Sequence, residues 1–181
     1  MKTTRLLGAV LLMLVALNVY AQENKEVQEF LSAAATNDVA KVQAMLNESM
    51  DVNARNENGE TALLIGSPHP KIVKILLAAG ADVNARNKFG ETPLMYSVAG
   101  NTPGTKLLLE AGADVKAKDG DGITVLMWAV DEGRIEEVKM LIEAGADINA
   151  RDKKNKSVLK HARDSFNLEA MEILKKAGGV E

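Results

Sequence analysis

The chain has 181 residues, 46% of them hydrophobic and 26% charged, with a formal charge of −3 and no cysteine. This composition is globular and long enough for one ordinary domain, and it excludes disulfides, thiolate metal sites and a lipid-attached N-terminal cysteine. Aromatic residues make up only 3% of the chain, so small aliphatic side chains must build the core, which suits many thin helical layers better than one deep core with an enclosed pocket.

Residues 1–21 are expected to be a secretory signal. Lys2 and Arg5 precede an apolar run, Leu6 to Leu17, and Val19 and Ala21 place small residues at −3 and −1 of a cleavage site before the polar stretch QENKE. A helix of this run rises about 18 Å against a hydrocarbon core of roughly 30 Å, which favours cleavage after Ala21; an uncleaved anchor is the alternative. Without Lys2 and Arg5, 22 basic residues become 20 against 25 acidic ones, a formal charge of −5. That excludes nucleic acid as the main ligand, because neutralising phosphates needs a basic surface. The expected destination is a bacterial periplasm, or release beyond it.

Residues 24–48, KEVQEFLSAAATNDVAKVQAML and its flanks, read as an opening helix pair with Asn37 or Asp38 capping the second helix. Beyond it one phrase returns four times: MDVNARNENGETAL from Met50, AGADVNARNKFGETPL from Ala79, AGADVKAKDGDGITVL from Ala111 and AGADINARDKKNKSVL from Ala144. The marker aspartates Asp51, Asp82, Asp114 and Asp147 are 31, 32 and 33 residues apart. A period of this size signifies stacked supersecondary units.

Each unit has its own local chemistry. Thr61, Thr92, Thr124 and Ser157 are expected N-caps of a first helix, with Pro93 at a first helical position, where its missing N–H costs nothing. Apolar residues at helical spacing, such as Ile135, Val138, Leu141 and Ile142, mark a second helix, closed by Gly80, Gly112, Gly145 or Gly178. From cap to closing glycine the count is 20, 21, 22 and 22; the shortfall is expected in the turn between the two helices. Gly59, Gly90, Gly122 and Asn155 supply the positive φ of a tight finger between units.

These motifs resemble the ankyrin-repeat family. NKFGETPLM with TKLLLEAGADVK, and DGDGITVLM with VKMLIEAGADIN, match its D-x-x-G-x-T-P-L-H and L-L-x-x-G-A-D-V-N pattern over roughly residues 24–181. The resemblance implies an all-α repeat solenoid of helix-turn-helix units joined by β-hairpin-like fingers. About five layers are expected within an ankyrin-repeat domain of residues 22–181: cap helices at 24–48, inner repeats at 49–80, 81–112 and 113–145, and a capping repeat at 146–181. Lys160, Arg163, Asp164 and Lys175 in the last repeat stand where inner units are more apolar, as an end layer requires. The family's histidine is replaced by Leu64, Met95, Met127 and Lys160, so the bonds it makes between fingers are expected to be lost and the stack to be softer.

Chemistry-bearing patterns are weak. KDGDG at 118–122 fails as a calcium loop, because Ile123 and Val130 occupy ligand positions, and Asp119…Gly122 is the same turn as Asn56…Gly59. His69 and His161 are 92 residues apart and lack partners for zinc. His69 is placed in the shortened turn and His161 on a helix face. No nucleophile or phosphate-loop motif is present, and Glu136 and Glu137 are expected on the solvated side of a helix. Neither catalysis, cofactor nor metal is expected.

What remains is a surface. Ile65, Tyr96, Trp128 and His161 fall at the fifth position of successive first helices. Beside them lie Glu60, Glu91, Ile123 and Lys156, and finger tips Glu57–Asn58, Lys88–Phe89, Gly120–Asp121 and Lys153–Lys154. The resemblance implies that first helices and finger tips form a concave partner-gripping face. Tyr96 and Trp128 then either pack only, or pack and also contact a partner; the tips are either solvated turns or recognition sites. The candidate partner-binding residues are Tyr96, Trp128, Glu60, Glu91, Ile123, Lys88 and Phe89. The expected function is a non-enzymatic, monomeric protein-binding module, free of the membrane once its signal is cleaved. An immunity or virulence factor that neutralises a toxin or engages a host protein is the alternative.

Overall fold

A computed structural model describes residues 21–100 and 102–180; the signal expected at residues 1–21 lies outside them, apart from Ala21. Helical residues 21–35 form α1, followed by α2 (Val39–Asn47), α3 (Ala62–Gly66), α4 (Pro70–Ala78), α5 (Pro93–Ser97) and α6 (Thr102–Glu110). Then come α7 (Val125–Asp131), α8 (Ile135–Glu143), α9 (Val158–Asp164) and α10 (Leu168–Lys176). The first helices α3, α5, α7 and α9 stack in one row, and α2, α4, α6, α8 and α10 in a second. Between the rows runs a periodic core in which Leu63, Leu94, Leu126 and Leu159 face Leu76, Leu108, Leu141 and Leu174, all buried. The chain is an all-helical repeat solenoid.

Local signals act where they were expected. The hydroxyls of Thr61, Thr92, Thr124 and Ser157 accept from the backbone N–H groups of Leu64, Met95, Met127 and Lys160 at 3.3, 3.4, 3.3 and 3.2 Å. Each satisfies one donor that a helix start leaves without a partner. Asp38 caps α2 in the same way, accepting from Lys41.

Two expectations change. The short units lose residues from the first helix rather than from the turn: α3 and α5 have 5 residues, while α7 and α9 have 7. In α3 the Ser67 hydroxyl bonds back to the Leu63 carbonyl, taking up a group that a further turn would have used. The fingers are hairpin-like turns, as expected, without a named strand on either side. Each of the four is closed by two backbone bonds, as from Asn56 N–H to the Glu60 carbonyl at 3.1 Å and from Gly59 N–H to the Asn56 carbonyl at 2.9 Å, and among the described residues two isolated antiparallel bridges flank them, Lys118 with Thr124 and Arg151 with Ser157. Finally, Glu137 is 4% exposed, not solvated, and its Oε1 accepts from the Thr102 hydroxyl at 2.9 Å.

Candidate functional site: the face between fingers and first helices

The finger turn is made by one side chain. In each finger Asn56, Asn87, Asp119 or Asp152 accepts two backbone N–H groups on Oδ1, two and four residues ahead, at 2.8–3.0 Å. Neighbouring tips are then joined through the backbone, Lys88 N–H to the Asn58 carbonyl at 2.9 Å and Lys153 N–H to that of Asp121 at 2.9 Å. Gly122 permits this approach: it sits at φ 80°, and a Cβ there would stand 2.9 Å from the Lys153 nitrogen.

A second set of bonds also links the fingers. Arg55 donates to the Arg86 carbonyl at 2.8 Å and Lys118 to that of Arg151 at 3.0 Å, while Arg86 reaches the Lys118 carbonyl. The fingers are therefore tied together by basic side chains.

Against this row lies the column of rings. Tyr96 donates to Glu91 Oε2 at 3.0 Å, and Trp128 Nε1–H points at Asp119 Oδ2 at 3.4 Å. His161 Nε2 stands 3.4 Å from Asp152 Oδ2. Every ring thus leans on the finger of its own unit, so the column lines the angle between fingers and first helices. Tyr96 and Trp128 stack, with ring centroids 6.3 Å apart and planes at 27°. Both are half-buried, whereas His161 is 5% exposed and donates from Nδ1 to Asp131 Oδ2 at 2.8 Å. Burial, the bond to Glu91 and the negative charges of Glu91 and Glu60 push the Tyr96 phenol up to about 12.

The remaining candidates lie on the fingers. Glu60, Glu91 and Ile123 are half-buried at the finger ends, Lys88 is exposed, and Phe89 is 62% exposed at its tip. Asn56 Nδ2 donates to Glu60 Oε2 at 2.7 Å and Asn87 Nδ2 to Glu91 Oε2 at 2.6 Å, which holds both carboxylates beside the rings. Sequence reasoning overlooked Asp119, Asp131 and Asp152 as partners of the rings. The first and last share the repeat register of Asn56 and Asn87, so superposing the units would have placed them; Asp131 lies in the segment that the short units lack and offers no such signal. Among the described residues no group of three or more His, Asp or Glu side chains could hold a metal ion. A separate open groove, of about 860 Å³, lies between α1 and the first finger, lined by residues including Glu26, Lys41 and Met45.

A family model described as Ankyrin repeats (3 copies) matches residues 8–87, 30–119, 65–152 and 99–180, overlapping spans that together run along nearly the whole chain. No curated protein shows significant similarity to it.

Proposed function

Because the chain belongs to the ankyrin-repeat family, whose members are in general protein–protein interaction modules, we propose that it is a non-enzymatic binding module exported to the periplasm. It grips a protein partner in the angle between its fingers and first helices. The observation that carries this reading is the half-exposed Tyr96–Trp128 stack, flanked by positions whose chemistry changes from unit to unit. Tyrosine and tryptophan are favoured anchors at interfaces, since they bury much area for little lost freedom. Phe89, exposed on a neighbouring tip, extends the same surface.

The test is affinity capture from bacterial periplasmic extract, followed by titration of the recovered partner. A stoichiometric partner is expected, with Phe89→Ala and Trp128→Ala each weakening it about tenfold or more, that is by about 1.4 kcal/mol. Phe89→Ala should leave the melting temperature nearly unchanged. Trp128→Ala should lower it, by less than the about 3–5 kcal/mol of a fully buried ring. A partner bound equally by both variants, or repeated empty captures under native conditions, would refute the proposal.

A further inference from the structure

Glu60 and Glu91 lie on successive fingers, and both bear on Tyr96: Glu91 accepts from its hydroxyl at 3.0 Å and the Glu60 charge acts on its phenol. Each has one carboxylate oxygen, Oε2, tied to asparagine. Among the described residues neither forms an ion pair, whereas toward the other end Lys156 and Lys160 both meet Asp164, and Lys139 meets Glu136 and Glu169. The face also changes character along its length. Its finger-end positions run Glu60, Glu91, Ile123, Lys156, and the last tip carries exposed Lys153 and Lys154.

The geometry points to a receptor for a basic side chain: an arginine of an extended partner segment lies across Tyr96 and Trp128, with its guanidinium toward the free oxygens of Glu60 and Glu91. This rests on the binding-module reading and names the chemistry of the partner. Two features carry it together. The part of the stacked rings left open gives an apolar surface against which a planar cation can lie. The carboxylates give charge complementarity, and half-burial beside the rings keeps them less screened than open surface acids. Acidic residues alone would not define a site; here they flank a half-buried aromatic pair. The raised pKa of Tyr96 accords with both carboxylates bearing on one spot. The opposite sign at Lys153 and Lys154 fixes the direction of the segment, with its basic end over the second and third layers.

The full chain has a single tryptophan, Trp128, so its fluorescence reports this site directly. The probes are a capped peptide Gly-Ser-Arg-Ser-Gly and its citrulline counterpart, which keeps the shape and removes the charge. The arginine peptide should change Trp128 emission saturably, with Kd on the order of millimolar, weakening as salt rises. The citrulline peptide should bind about tenfold more weakly. Glu60→Gln and Glu91→Gln should each reduce the affinity about fivefold with unchanged circular dichroism.

Equal binding of the two peptides, or no loss in either glutamine variant, would overturn the inference. So would N-acetyl-arginine amide binding as tightly as the peptide, since that describes a small-cation site rather than a docking face. A captured partner that depends on Phe89 but ignores both glutamine substitutions would sink this inference and leave the binding-module reading standing. Arginine-peptide binding with no partner captured would do the reverse.

Discussion

Asp152 works at two levels in the last finger. Its Oδ1 holds the turn by accepting from Lys154 and Lys156, and its Oδ2 faces the buried His161 ring. Its side chain is 5% exposed. Burial pushes the carboxyl up, but the two backbone donors and His161 outweigh it and hold the group below the usual carboxylate range. The sign follows from linkage: a depressed folded-state pKa contributes stability that is complete above the unfolded value and lost as pH falls through the folded one. Asp152→Asn keeps an acceptor and removes the charge. It should lower the urea midpoint near neutral pH, and the gap from the parent protein should hold steady down to about pH 5 and narrow as pH falls further, through about 4 and below. Parallel midpoint curves over that range would show that the charge contributes nothing.

At the scale of the element, the joints between units are not equal. Asn53 accepts from Asp82 N–H at 2.8 Å and donates to the Gly80 carbonyl at 3.5 Å; Asn84 does the same with Asp114 and Gly112, and Asn149 with Val180 and Gly178. Lys116 occupies this position in the third finger, and among the described residues it makes neither bond. The joint between the unit of α7 and α8 and the finger after it therefore lacks a rung that the others have. Lys116→Asn should restore it. A gain of about 1 kcal/mol is expected for bonds of this partly exposed kind, or about 2–4 °C in melting temperature. The bonds at the opposite edge stay intact: His69 donates to the Ala35 carbonyl, Arg134 to that of Ala99 and Asn167 to that of Val130, at 2.9, 3.0 and 3.2 Å. An unchanged melting temperature would place the Lys116 joint among those held by packing alone.

Over the whole molecule, each layer is sound only because another covers it. Met127 and Val130 are buried between layers, yet the residues in the same register one unit later, Lys160 and Arg163, are exposed on the outer face of the last described layer. Polar end faces keep such a stack from growing by adding copies of itself. Returning that face to the inner pattern with Lys160→Met and Arg163→Val should produce concentration-dependent self-association in sedimentation velocity, while the parent chain holds one size. A double variant that keeps the parent's sedimentation coefficient at every concentration would assign the capping role to other residues.

Caps, turns and closing glycines were legible in the sequence because each is a local transaction, settled within about five residues by hydrogen-bond geometry and φ. The period of the marker aspartates carried the architecture, since units that cannot bury their own apolar face must stack. Four findings needed the tertiary structure: the burial of Glu137, the shortening of α3 and α5, the basic ladder between the fingers, and the pairing of the rings with Asp119, Asp131 and Asp152. The burial of Glu137, the basic ladder and the His161–Asp131 bond depend on which atoms of one unit meet the next about 30 residues away, while Asp119 and Asp152 meet the rings of their own units. A repeat fixes how often such meetings occur, while the side chains that fill the space between layers decide what is exchanged there.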